Sequence, residues 1–149
     1  MGDTNPGVGY QAIVETVLQR LEGVTQCFVA GVLLANCQRG QITLSCTRPV
    51  DDLFLQAVQQ RLVRCFHLSA GPALAEPEFD VTVLGEPLSG PYEPPRSVLT
   101  MPVLVEGRVR GMIVIASVFP EVFGNQELCA LSALASDVSA ALAKVQPPL

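Results

Sequence analysis

Most of the reactive chemistry in this sequence rests on six side chains: Cys27, Cys37, Cys46, Cys65, Cys129 and the single histidine, His67. Thiolates and imidazoles hold zinc when four of them converge, usually from short paired spacings such as C-x-x-C. No C-x-x-C occurs, and one histidine would leave a site to be built almost wholly from distant thiols. No bound metal is therefore expected. Five widely spaced cysteines also make a poor disulfide framework. They read as free thiols used as small apolar side chains. Catalytic patterns are scarce as well: G-x-S-x-G, a P-loop and G-x-G-x-x-G are all missing, and His67 has no Ser-Asp arrangement to complete a triad.

The elements that would position any chemistry follow from composition and periodicity. The chain has 149 residues, 49% of them apolar and only 15% charged. Low charge and high hydropathy exclude intrinsic disorder. They also exceed what one domain of this size needs for its core, which points to a partner subunit. Net charge is −5, and Lys144 is the only lysine among nine cations, so binding to nucleic acid is not expected. The longest apolar run, residues 28–35, is far shorter than the roughly 18–20 residues of a membrane span. The N-terminus has no signal-peptide pattern. A cytoplasmic protein, with no membrane partner, is the expectation.

Residues 1–9 read as a tail, 10–146 as a single domain and 147–149 as a second tail. Tyr10, Ile13, Val14, Val17, Leu18 and Leu21 recur at helical spacing. Residues 27–34 and 41–46 form two strands about a polar turn ending at Gly40. Asp51 and Asp52 suit the first turn of a helix reaching about residue 68. Between residues 72 and 95 lie six of the twelve prolines, so only a short edge strand over 79–84 fits there. Residues 97–105 and 109–118 make a second hairpin across Glu106-Gly107-Arg108. Asn125 is a suitable N-cap for a last helix running to about Lys144. Hairpins with flanking helices predict an α+β fold.

The stretch 96–144 resembles the C-terminal half of a GAF domain. Its Met101-Pro102-Val103 ends one strand, and Arg110-Gly111-Met112-Ile113-Val114-Ile115 follows a turn. A loop with Phe123 then leads to a capped helix carrying Leu131-Ser132-Ala133-Leu134-Ala135. The order of elements from Tyr10 onward fits the same family. The resemblance implies a central antiparallel sheet of five or six strands. The N- and C-terminal helices would share one face, with a helix and the irregular Pro-rich segment on the other, over a ligand pocket. It further implies a non-catalytic sensory or regulatory module of a signal-transduction protein, such as the N-terminal input domain of a histidine kinase or diguanylate cyclase.

The residues bear on each chemical option of that family. An N-K-x-D-E type motif, associated with cyclic nucleotides, is not present. Bilin attachment favours Cys followed directly by His, whereas Cys65-Phe66-His67 has a residue between them. Haem would have to use His67 as its only imidazole ligand. Neither cofactor is expected. The family's enzymatic branch, which reduces free methionine sulfoxide, needs paired thiols in the pocket loops, and no cysteine lies between His67 and Leu128. Phe79, Tyr92 and Arg96, with Phe119 and Phe123, remain as candidate ligand contacts for an unidentified small molecule. The plainer alternative is that these aromatics pin a loop to the sheet.

Leu128, Leu131, Ala135, Val138, Leu142 and Val145 are spaced 3, 4, 3, 4, 3, a heptad seam. The other faces of this helix are small and apolar. Together with Tyr10, Val14, Val17 and Leu21 of the first helix, Leu128, Leu131, Ala135, Val138 and Leu142 are the expected contacts of a parallel homodimer. The alternative is that the first helix alone covers the last one.

Overall fold

Two apolar runs that hairpins would normally half-expose are buried on both faces. The computed structural model describes residues 6–24, 26–35, 39–70, 78–85 and 93–144. In chain order the elements are α1 (Pro6–Leu21), β1 (Val29–Ala35), β2 (Arg39–Cys46), α2 (Asp52–Ala70), β3 (Glu78–Leu84), β4 (Ser97–Val105), β5 (Arg108–Ser117) and α3 (Asn125–Lys144). The sheet order is β3-β2-β1-β5-β4, so β1 and β5 are interior strands. Side chains alternate across a strand. Ala30, Val32, Leu34, Ile113 and Ile115 accordingly meet α1 and α3. Val29, Leu33, Met112, Val114 and Ala116 meet α2. Strands covered on both sides read as continuous apolar sequence, which is why the runs lack polar alternation.

The expected α+β architecture is present, with α1 and α3 on one face and α2 on the other. Both expected hairpins form, and β1–β2, β1–β5 and β4–β5 are antiparallel. The sheet is mixed in one place: β3 runs parallel to β2, with Gly40 beside Phe79 and Leu44 beside Val83. The cause is the connection. The chain leaves β2, passes through α2 and returns as a crossover, which sets a parallel neighbour. The Pro-rich residues 71–77 and 86–92 lie outside the described residues.

Local chemistry fixes the ends of these elements. Glu106 and Gly107 have φ of 54° and 78°, so the β4–β5 turn is a two-residue loop with both central residues left-handed, a geometry that matches strand twist. The Asp51 carboxylate accepts the Phe54 N–H at 2.8 Å and caps α2. At α3 the cap falls one residue before the expected Asn125. The Gly124 carbonyl accepts the Leu128 N–H, and the Glu127 carboxylate reaches back to the Gly124 N–H at 2.7 Å. α1 starts at Pro6, four residues ahead of Tyr10, since proline suits a first helical turn.

Candidate functional site

The expected ligand residues do not meet in one place. Phe79 lies over Gly40 and stands edge-on to Phe66 of α2, centroids 6.1 Å apart, with His67 at 6.3 Å. Phe119 is at the other end of the sheet, 44% exposed and edge-on to Phe28 at 5.5 Å. The Arg48 guanidinium stands 5.2 Å above that Phe28 ring. Arg96 opens β4 at this same end, its side chain exposed and its N–H donating to Ser117 O. Phe123 packs on the opposite face from Phe79, against the cluster under α1 and α3. Tyr92 lies outside the described residues. A single site lined by all of these residues is thereby corrected. Strand alternation and register send Phe79 and Phe123 to opposite faces and set Phe119 and Arg96 at the far end of the sheet.

Backbone pairing builds the Arg48–Phe28–Phe119 cluster. The Phe28 N–H donates to Ala116 O, and Thr47 and Arg48 donate to Phe28 O. The Ser97 hydroxyl donates to Phe119 O at 2.6 Å. Phe28 and Arg48 carry no functional signal in the sequence. No spacing rule relates positions 28, 48 and 119, which meet only through strand pairing. The arrangement is a cation over an aromatic face with a second ring at its edge, worth about 0.5–1 kcal/mol when exposed.

The seam residues of α1 and α3 are buried inside the chain. Val14, Val17, Leu21, Leu131, Ala135, Val138 and Leu142 pack with Ala30, Val32, Leu34, Val103, Ile113 and Ile115. Tyr10 lies at the margin of this cluster, and Leu128 is 42% exposed. As partner contacts six of the seven are corrected, since their 3–4 spacing records packing on the sheet; the seventh, Val138, also borders the groove between the two helices. What faces outward is an apolar groove of about 270 Å³ between the two helices. Ala12, Ile13 and Thr16 line it from α1, and Leu134, Val138 and Ala141 from α3. Arg20 and Asp137 pair at 2.5 Å beside it, both side chains well exposed.

This arrangement of sheet and helices has counterparts of known family. A family model for the GAF domain matches residues 10–142. The chain belongs to the GAF family. Comparison with curated proteins gives no significant match. Solved structures similar in fold at low identity include the following two. One is the GAF domain from Acinetobacter phosphoenolpyruvate-protein phosphotransferase, 18% identical with a TM-score of 0.52, covering 91% of this chain and 82% of that one. The other is a type II free methionine-R-sulfoxide reductase from Thermoplasma acidophilum, 15% identical with a TM-score of 0.52, covering 99% and 100%.

Among the described residues of this GAF domain the thiols lie far apart. Cys27 is buried, donates to Val29 O at 3.2 Å, and has its thiol pKa raised above the ordinary value by burial. Cys46 is pushed the same way by burial and then by the Asp52 charge at the start of α2. Cys65 is half-buried on α2, thirteen residues beyond Asp52, about 20 Å along a helix axis. Cys129 is exposed on α3, across the sheet. Cys37 lies outside the described residues. Among the described residues, no group of three His, Cys, Asp or Glu could hold a metal, and no helix is long and apolar enough to cross a membrane.

Proposed function

We propose that this GAF domain is a non-catalytic regulatory module of a signalling protein, acting as a homodimer through the outer faces of α1 and α3. The observation that carries this reading is the groove between those helices. Its apolar floor is open, and small residues, Ala12, Thr16 and Ala141, allow another helix to approach closely. Ala130, one turn before Leu134 on α3, is exposed and adds apolar surface that a second copy would remove from water. A small molecule that binds the two helix arrangements with different affinity would shift α3 and be felt across the dimer axis. Arg96 and Phe119, exposed at one end of the sheet, are the first contacts to test for such a ligand.

The test is sedimentation of wild type against Ala12→Arg and Thr16→Arg, both exposed positions. The expected result is a dimer that becomes a folded monomer in each variant. A wild-type chain still monomeric at ~100 μM, well above a micromolar Kd, refutes the dimer. Catalysis has its own control. The chain is expected to turn over no free methionine-R-sulfoxide, because Cys27 and Cys46 are held as thiols by burial and Cys65 and Cys129 stand on opposite faces of the sheet. Turnover abolished by a single Cys→Ser change would replace the regulatory reading with an enzymatic one.

A further inference from the structure

The two edges of the sheet are finished differently. β4 carries Pro102, which has no N–H to offer, and a break in register between Val103 and Leu104. The Ser139 hydroxyl of α3 donates to the Leu104 carbonyl. These features blunt an edge against pairing with another chain. β3 has none of them. It pairs with β2 on one side, and no described strand lies beyond it. It contains no proline, lysine or arginine, and residues 80–85 are all exposed.

The side chains of β3 also continue the apolar face of the sheet. Val81 is registered with Ile42 and Val83 with Leu44, both of which pack under α2. Neighbours in register share a face. Phe79, Val81 and Val83 therefore extend the α2-side surface outward, and both valines are still 39% exposed. Asp80 and Thr82 take the other face.

We infer that β3 is a docking edge for the same strand of a second copy, paired antiparallel about Val81. The register that overlaps all seven residues is also the one that matches their chemistry. It sets Phe79 against Val83, Val81 against Val81, Asp80 against Thr82 and Glu78 against Leu84. Three apolar pairs, two of them aromatic with β-branched, then form one continuous row, the kind of cross-strand contact that stabilises a ladder. Neither acidic residue faces another. In-register parallel pairing would place Asp80 beside Asp80 and Glu78 beside Glu78, which is unfavourable. Antiparallel pairing closes a two-fold and merges two five-stranded sheets into one. A single seven-residue ladder buries less than the roughly 1,200 Å² of a standard interface, so the contact is weak and forms at high local concentration. It is independent of the α1/α3 groove, which lies on another part of the molecule.

Amide hydrogen exchange of the full chain, compared between ~10 μM and ~1 mM, tests the pairing across the range where weak contacts populate. The expected result is several-fold slower exchange in β3 at the higher concentration. Val81→Lys sets two ammonium groups across the two-fold and is expected to remove the slowing. Thr82→Lys sets each lysine against the second copy's Asp80, and is expected to bring the slowing to about tenfold lower concentration. Thr16→Arg, in the groove, is expected to leave it unchanged. Exchange in β3 that does not depend on concentration in wild type overturns the inference. So does slowing that survives Val81→Lys, that is lost in Thr16→Arg, or that needs a different protein to be added.

Discussion

Replacing Leu131 by alanine separates the two roles that α3 was open to. Leu131 has no exposed surface and lies among Val17, Ile113 and Ile115 in the cluster between the terminal helices and the sheet. Truncating a leucine in such a place loses its transfer free energy and leaves a cavity, together about 2–5 kcal/mol. For a domain of this size each kcal/mol moves Tm by about 3 °C, so the variant melts about 6–15 °C lower. Leu128, one turn earlier and largely outside the cluster, is the control. Its change to alanine costs under about 1 kcal/mol. Calorimetry at one fixed protein concentration measures both, since dimerisation makes Tm depend on concentration. A Leu131→Ala chain that melts within about 1 °C of wild type yet loses its dimer would refute the inward assignment, because burial against the chain's own sheet could not be so tolerant.

Three further outcomes follow from local geometry. Gly111→Ala would place a Cβ 2.7 Å from the Leu33 carbonyl oxygen, and backbone cannot rotate away, so urea unfolding shows a loss of about 1–3 kcal/mol. Asp51→Ala removes the α2 cap and costs about 1 kcal/mol by the same measurement. Burial raises the Cys27 thiol above its ordinary value of 9.0, so above that pH the unfolded chain binds fewer protons than the folded one. The stability this thiol contributes is intact below about pH 9 and lost as pH rises through its folded pKa, a slope that Cys27→Ala reduces in urea midpoints measured from pH 7 to 10.5.

Much of the fold was legible because its signals are local. The hairpin of β4 and β5 is written in two apolar runs and a Glu-Gly turn, and the bounds of α3 in a polar break followed by 3–4 periodicity. The direction of β3 was not legible, since a seven-residue strand reads alike whichever way it pairs. The partner of the α3 seam was hidden for a related reason. An a/d stripe records that a helix buries one face, and a sheet satisfies it as well as a second helix does. The candidate site suffered most. Phe28, Arg48 and Phe119 are far apart in the chain and adjacent only through β1–β2 and β1–β5 pairing, while Phe79 and Phe123 look equivalent in sequence and fall on opposite faces.

The placement of β1 between β2 and β5 also dictates an order of events as the chain is made. β1 finds β2 at once, across a short turn, but its other edge waits for β5, with Val29 pairing to Ala116. Until β5 has left the ribosome, Ala30, Val32 and Leu34 have α1 over them but no neighbouring strand, and until α3 follows, Val103 of β4 lacks the helix that packs over it. A nascent chain stopped anywhere before α3 therefore shows a sticky, half-built sheet. Long-range pairing of this kind slows folding relative to a helical domain of equal length. The last helix is then the piece that ends the exposure, so truncations that remove α3 should be found with chaperones or in aggregates rather than as smaller folded domains.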